Sequence, residues 1–369
     1  MTQQENLGYN KQHYYWLDLL RFSSALLVVL CHYRGNFFIE YGLLSNDDKN
    51  IFTQIFYFIG RLGNESVVVF FVLSGFLVGG KALQRILNNE IDVKSFFIDR
   101  FTRIMLPLLA ALFFMVVITI IVGEPIPFKD ILGSLFSLQG IFTGSGGNAS
   151  LWSLAYEVWF YIFIGCLMMI CRGKNTKNIL IAFFVLTICI SIFTKLETRY
   201  LLILFMGTFA FLLPRENIKY LKSKIFLLLI LLGCSFVLSQ LTSETRSLNL
   251  STFSFLEQKQ ISVFLAFIAV LLVHHLIVAK PQKRIWANIE SVSSKFSDFS
   301  YTLYLTHYPL MFLLSYFGFP KSEQINTISI LYYIVEILIS IVVAYLIYLV
   351  SEKQSPTVKK YIKRQLTKQ

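Results

Sequence analysis

The chain contains ten apolar stretches, most of them close to 20 residues long, and this feature constrains its fold more than any other. A helix needs about 20 apolar residues to cross the hydrocarbon core of a bilayer. The stretches cover residues 15–33, 64–80, 104–122, 151–171, 179–194, 200–213, 225–239, 260–279, 301–318 and 328–350. Charged residues make up only 15% of the 369 residues, whereas soluble domains carry about 25%. We therefore predict an all-α polytopic membrane protein with about ten transmembrane helices. This class excludes a secreted disulfide scaffold, a disordered regulator and a nucleic-acid-binding domain.

The basic residues predict how these helices are oriented. With the N-terminus in the cytoplasm, 23 of the 33 Lys and Arg residues fall in cytoplasmic segments, nine fall in outer loops, and Arg21 lies inside the first stretch. Basic residues concentrate on the cytoplasmic side of membrane proteins, so both termini are expected there. We expect one transmembrane domain over residues 1–350, a basic cytoplasmic tail over residues 351–369, and no appended soluble domain. Two shorter apolar stretches, 51–59 and 131–142, are predicted to be interfacial or re-entrant.

The first stretch carries polar residues that a bilayer disfavours. Arg21 and His32 are 11 residues apart, which places them on one helix face with a separation of about 16 Å. Asp18 lies three residues before Arg21, within reach of an ion pair. Charged groups in a membrane segment indicate a partner, a cavity or a site. Alternatively, Arg21 reaches the inner interface with Asp18 as its partner, and His32 is an interfacial side chain.

Two further segments carry candidate site residues, one just before the inner end of the third stretch and one inside the second stretch. Arg100 and Arg103 present two guanidinium groups to one side of a helix, a geometry that suits phosphate groups. As an isolated pattern they would be an ordinary basic flank. Ser74 and Gly75 interrupt the second stretch, and small residues in a membrane helix indicate close helix packing.

The fourth stretch begins with Trp152, Tyr156 and Glu157. The two aromatic residues could be no more than an interfacial belt. A carboxylate such as Glu157, one to two turns into the membrane, needs a partner or a polar cavity. His307 in the ninth stretch is interpreted as a packing histidine on spacing alone. No spacing of His and Cys typical of a metal site occurs, so no metal is expected.

Five motifs in sequence order resemble the acyltransferase 3 family of integral membrane O-acyltransferases. They are LDLLR with a following His over residues 17–32, FFVLSGFL at 70–77, RxxR with a following Pro at 100–107, SLWSLAYEVWFY at 150–161 and SYTLYLTHYPL at 300–310. The resemblance implies a multi-pass protein of the bacterial cytoplasmic membrane. It also implies transfer of an acyl group, usually acetyl, from cytoplasmic acetyl-CoA to a hydroxyl of an extracytoplasmic glycan. O-antigen, capsule, exopolysaccharide and peptidoglycan all fit as acceptors, and the acyl group could be larger than acetyl.

The resemblance also implies roles for individual residues. Arg21 and His32 match the essential pair of the family, and Arg100 and Arg103 match the arginines associated with the CoA side. The matches to Ser74, Trp152 and Glu157 carry less defined roles. Many family members have a fused hydrolase-like domain. Because no appended soluble domain is expected here, this chain is expected to act alone or with a separate envelope-synthesis protein.

The expected chemistry follows from these residue types. An imidazole suits a general base at neutral pH, so His32 is expected to take the proton from the attacking sugar hydroxyl. A nucleophilic role through an acyl-imidazole is the alternative. The oxyanion candidates are Arg21, Ser74 and Trp152. Glu157 would orient the imidazole or hold the acceptor, and Trp152, Tyr156 and Trp159 could stack on sugar rings.

Two other classes of protein remain open at this stage. A polytopic transporter or flippase of a glycan intermediate would also need a charged central cavity. Such proteins more often show inverted repeats and broken helices. A scaffold without catalytic activity is the third class, and the complete set of motifs argues against it.

Overall fold

The computed structural model describes residues 14–173, 175–214, 220–242, 257–278, 293–319 and 321–367. Within these residues the chain is helical, and its extended pairing is limited to two isolated bridges. The helices are α1 (Tyr15–Phe37), α2 (Ile51–Ile59), α3 (Gly63–Ser74), α4 (Lys81–Leu87), α5 (Val93–Val122), α6 (Phe128–Leu135), α7 (Trp152–Arg172), α8 (Thr176–Phe193), α9 (Thr198–Phe209), α10 (Leu221–Thr242), α11 (Gln258–Val278), α12 (293–298), α13 (Ser300–Tyr316), α14 (Thr327–Val350) and α15 (Ser355–Thr367). The all-α polytopic class predicted from the apolar stretches is thus confirmed.

Each of the ten predicted stretches forms a helix, but the helices differ in length. Within the described residues, eight helical segments are long and apolar enough to cross a membrane. The sixth stretch forms the shorter apolar helix Thr198–Leu212, and the ninth forms the 17-residue helix α13. Helix α5, which contains the third stretch, begins 11 residues before the predicted start of that stretch at residue 104. It begins there because the Asp92 side chain caps it, accepting from the backbone N–H of Ser95 at 2.9 Å. Arg100 and Arg103 therefore lie within α5 and not on its flank.

Glycines allow α3 and its continuation to approach α9 closely. The chain between α3 and α4 is a π-helical segment, Gly75–Gly80. A methyl group at Gly75 would overlap the carbonyl oxygen of Leu204, and one at Gly207 would overlap that of Val72. The expectation of close helix packing at Ser74 and Gly75 is confirmed. This packing fixes the side of α3 on which Ser74 is presented.

Helix α1 lies at the centre of the site-bearing part of the bundle. It packs against α3, α11, α13 and α14, and α5 packs against α7 and α13. The Tyr33 hydroxyl bonds to the Ser340 hydroxyl of α14 and donates to the carbonyl of His307 at 3.4 Å. These contacts bring the LDLLR helix and the SYTLYLTH helix together despite their separation in sequence.

The segment predicted as a basic tail forms α15 and packs along α5. Lys359 Nζ lies 2.7 Å from Asp99 Oδ1, and the Ser355 hydroxyl donates to the Thr102 carbonyl at 3.1 Å. The two short apolar stretches form α2 and, in part, α6. Several positions used for the orientation count lie outside the described residues: Lys11, Lys174, Arg215, Lys219, Arg246, Lys280, Lys283, Arg284 and Lys368.

Candidate active site

Five of the predicted site residues line one cavity, here called the arginine cavity. They come from four helices, and they are Arg21, Ser74, Arg100, Arg103 and Glu157. The cavity encloses about 530 Å³ of space, its open mouth included. Three arginines and one carboxylate on the wall make this an electropositive site.

A hydrogen-bonded network organises the wall of the arginine cavity. Tyr161 Oη lies 2.7 Å from Ser74 Oγ and donates to Glu157 Oε1 at 3.4 Å. The guanidinium carbon of Arg100 stands 5.9 Å from the centre of the Tyr161 ring. Glu157 is only 6% exposed, so this carboxylate has the polar surroundings that its position in the membrane requires. Tyr161 was not singled out from sequence, although it lies within the fourth motif.

Two polar atoms beside this network have no hydrogen-bond partner among the described residues. They are Arg100 Nε and the hydroxyl of Tyr301, and both residues line the arginine cavity. Buried polar groups are normally hydrogen-bonded, and both of these groups can donate, so the residues that carry them suit a ligand with acceptor oxygens. A phosphate or carbonyl group has that chemistry.

A carboxylate from the tail segment balances part of the positive charge. Glu352 Oε2 accepts hydrogen bonds from the Thr302 backbone N–H at 3.2 Å and from its hydroxyl at 2.8 Å. Its charge acts on Arg21 and Arg103. Asp18, the predicted partner of Arg21, also contributes to the field at that guanidinium and accepts a hydrogen bond from Ser297 at 3.3 Å. Glu352 was missed from sequence because no motif surrounds it.

His32 and Trp152 line a second cavity at the opposite end of α1, here called the histidine cavity. It encloses about 920 Å³, its open mouth included, and polar residues dominate its wall. Arg21 and His32 therefore lie in different cavities at the two ends of one helix face. Glu157 belongs to the arginine cavity, where the Tyr161 hydroxyl donates to it. The structure thus brings the arginines, Ser74 and Glu157 together, and it places His32 apart from them.

The partner of His32 is His307. His32 Nδ1 lies 2.8 Å from His307 Nε2, and the two rings meet edge to edge, with centroids 5.1 Å apart and planes 5° apart. His307 Nδ1 lies 3.2 Å from the Leu303 carbonyl oxygen, which can only accept a hydrogen bond. When both rings are neutral, His307 therefore carries its proton on Nδ1, and its Nε2 accepts from His32 Nδ1–H. This chain leaves the lone pair of His32 Nε2 for a substrate in the histidine cavity.

His307 is fully buried, as expected for a packing histidine, but spacing gave no sign of its contact with His32. The two histidines are 275 positions apart, and only the packing of α1 against α13 joins them. The only sign in the sequence that His307 belongs to the site was its place in the SYTLYLTH motif.

Residues about one helical turn apart on α13 line the two cavities. On α13, Tyr301 lines the arginine cavity and Tyr304 lines the histidine cavity, and three residues span only about 4.5 Å of helix. The Tyr304 ring stacks on Phe70 with centroids 6.2 Å apart and planes 11° apart. The Tyr304 hydroxyl lies 2.8 Å from Ser153 Oγ and donates to the Ser150 carbonyl at 2.8 Å. These hydrogen bonds hold the Tyr304 ring in place, whereas the Phe70 side chain has no group that can form one.

Trp152 and Tyr156 belong to one aromatic cluster, but only Trp152 reaches a cavity. Tyr156 packs edge-on against Trp152 and Tyr200, and its hydroxyl accepts from the Glu197 backbone N–H at 2.9 Å. Tyr156 lines neither of the two cavities. Trp159 Nε1 donates to the Ser137 carbonyl at 2.9 Å, which attaches the loop after α6 to α7. Within the described residues, no group of three or more His, Cys, Asp or Glu residues is placed to hold a metal ion.

Comparison with known families gives one match that covers nearly all of the chain. The model of the acyltransferase 3 family, described as an acyltransferase domain, matches residues 14–349. The matched region contains both cavities and every helix from α1 to α13. No curated protein and no solved structure matches the chain.

Proposed function

Because the chain belongs to the acyltransferase 3 family and is a multi-pass membrane acyltransferase, we propose that it uses acetyl-CoA to acetylate a hydroxyl of a cell-surface polysaccharide. In this proposal the donor enters the arginine cavity from the cytoplasm, and the acceptor enters the histidine cavity from outside. The observation that carries it is the pair of cavities: one is electropositive, the other contains a histidine, and the contacting rings of Phe70 and Tyr304 line one cavity each. We further propose that the protein lies in the bacterial cytoplasmic membrane.

The arginine cavity suits the donor because CoA is rich in phosphate. Arg100 and Arg103 would contact phosphate oxygens, with Arg100 Nε available as a donor. The excess of positive charge on the wall favours an anion over a neutral sugar. The pantetheine arm is long and thin enough to pass Phe70 and carry the thioester to the histidine cavity.

His32 is the proposed general base. Its Nε2 would take the proton of the acceptor hydroxyl while that oxygen attacks the thioester carbonyl. The carbon–sulfur bond then breaks, and the imidazolium returns the proton to the departing CoA thiolate. His307 would hold the ring in the tautomer that exposes the Nε2 lone pair. An acyl-imidazole relay uses the same lone pair. We favour direct attack because a thioester is already activated.

Family membership speaks against a flippase or transporter without covalent chemistry. The decisive comparison in cells is between the wild-type protein and His32→Ala, with His274→Ala as a matched histidine control on α11. Membrane insertion is checked by the amount of full-length protein in the membrane fraction. NMR of the purified surface polysaccharide should show O-acetyl signals with the wild type and the control, and none with His32→Ala. Retained O-acetyl groups in the His32 variant would overturn the proposal.

A further inference from the structure

One wall of the histidine cavity carries a buried carboxylate that the proposed chemistry does not use. Glu65 on α3 is 3% exposed and lines the same cavity as His32. Helices α1 and α3 are in close contact here, because a methyl group at Gly63 would lie 2.8 Å from the sulfur of Cys31. The carboxylate and the imidazole therefore face one cavity from adjacent helices.

Only one oxygen of this carboxylate is engaged by the described chain. Glu65 Oε1 accepts hydrogen bonds from the Ser239 hydroxyl at 2.6 Å and from Gln240 Nε2 at 3.1 Å. Glu65 Oε2 has no hydrogen-bond partner among the described residues. The two donors fix the orientation of the carboxylate, so Oε2 is an oriented acceptor with unused capacity. A buried acceptor of this kind indicates a ligand that donates a hydrogen bond.

The formal charges on the wall of the same cavity sum to zero, because Arg34 and Arg61 stand against Glu40 and Glu65. Arg34 Nη1 and Arg61 Nη2 each lie 3.1 Å from the carboxylate of Glu40. An anionic ligand would have to compete with Glu40 for these guanidinium groups and would face the charge of Glu65. An uncharged ligand with several hydroxyl groups meets neither cost. Trp152 adds an aromatic surface to the cavity, on which a sugar ring can pack.

Building on the proposed function, we infer that Glu65 Oε2 accepts a hydrogen bond from a second hydroxyl of the acceptor, and that the ring bound in the histidine cavity is an uncharged sugar. This contact would set which hydroxyl of the ring lies at His32. Glu65 is thus a positioning and specificity residue, whereas His32 acts on the reacting hydroxyl.

The test is Glu65→Gln, a variant whose geometry the structure defines. Because Ser239 and Gln240 both donate to Oε1, the amide oxygen of the glutamine will occupy that place and its NH₂ group will replace Oε2. The variant can then donate but not accept at this point. The matched control is Glu336→Gln on α14, another buried glutamate whose Oε2 has no partner among the described residues and which lines a different cavity.

The purified protein is assayed with acetyl-CoA and with the cell's own surface polysaccharide, stripped of esters by mild alkali. We expect Glu65→Gln to raise the KM for polysaccharide about tenfold or more, the loss typical of a hydrogen bond to a charged group. The KM for acetyl-CoA should stay unchanged, and Glu336→Gln should match the wild type. An unchanged polysaccharide KM in Glu65→Gln would overturn the inference while leaving the proposed function standing.

Binding of two small probes tests the substrate class without relying on catalysis. Saturation-transfer NMR should give a stronger signal for methyl α-D-glucopyranoside than for the matching glucuronide, and Glu65→Gln should weaken the glucopyranoside signal. A glucuronide signal that is equal or stronger, or no signal from either probe, would overturn the assignment of an uncharged ring. Glucopyranoside binding that depends on Glu65, without acetyl transfer to any glycan, would instead contradict the proposed function.

Discussion

The contact between His32 and His307 makes a quantitative prediction for His307→Phe. Phenylalanine keeps an aromatic ring of similar size in a site that is fully buried, but it cannot accept a hydrogen bond. His32 Nδ1–H then loses the partner that lies 2.8 Å away, and its proton is free to move to Nε2. In that tautomer the base has no lone pair facing the substrate.

The expected size of the effect follows from the cost of leaving one buried polar group unpaired, about 1–3 kcal/mol. At about 1.36 kcal/mol per factor of ten, this corresponds to a fall in kcat of roughly 5- to 150-fold. The donor site lies in the other cavity, beyond the stacked ring of Tyr304. The KM for acetyl-CoA should therefore change little.

The assay is steady-state acetyl transfer from labelled acetyl-CoA to de-esterified polysaccharide by purified protein. His307→Gln supplies a side-chain carbonyl oxygen as acceptor and should recover part of the lost kcat. His274→Phe places the same substitution at another buried histidine and should leave kcat unchanged. The reasoning is refuted if His307→Phe retains the wild-type kcat, or if it fails only through a higher KM for acetyl-CoA.

Three further predictions concern the donor site, the passage between the two cavities and the helix packing. The double change Arg100→Ala and Arg103→Ala should raise the KM for acetyl-CoA roughly 10- to 100-fold, because charge-assisted hydrogen bonds are lost; unchanged acetyl-CoA affinity would show that these residues serve topology alone. Phe70→Trp should lower kcat but not acetyl-CoA binding, because a larger ring narrows the passage between the cavities; a wild-type kcat would contradict a passage there. Gly75→Ala should destabilise the protein by about 1–3 kcal/mol, measured as a lower thermal midpoint in detergent, because its methyl group overlaps a backbone carbonyl of α9. Gly233→Ala, where the added methyl group meets nothing within 4 Å, is its control, and an equal midpoint for both variants would contradict the packing argument.

The helices were predictable from sequence because bilayer length and charge distribution act locally along the chain. Apolar runs identified every main helix of the bundle, and the small residues at Ser74 and Gly75 correctly indicated a close contact. The ends were less predictable. Helix α5 begins well before the apolar run, because the Asp92 cap starts the helix ahead of its membrane portion.

The site was only partly predictable, because its cavities depend on contacts between distant segments. Sequence spacing correctly placed Arg21 and His32 on one face of α1, and the separation of about 16 Å explains why they serve different cavities. Spacing could not show that His307 would meet His32, or that a tail carboxylate would approach the arginines, although the four-residue spacing of Glu157 and Tyr161 on α7 did place those two side by side. The contacts between different helices form only because tertiary packing brings those residues together.

The central claim is that acetyl groups move from CoA to a glycan hydroxyl through His32. The most direct measurement uses purified protein in liposomes with acetyl-CoA labelled in the acetyl group and de-esterified polysaccharide, and it counts alkali-labile label on the polysaccharide. The account predicts label on the glycan that depends on both substrates and is lost in His32→Ala, with equal protein incorporated. Label transfer by His32→Ala at the wild-type rate, or movement of glycan across the liposome membrane with no label attached, would contradict it.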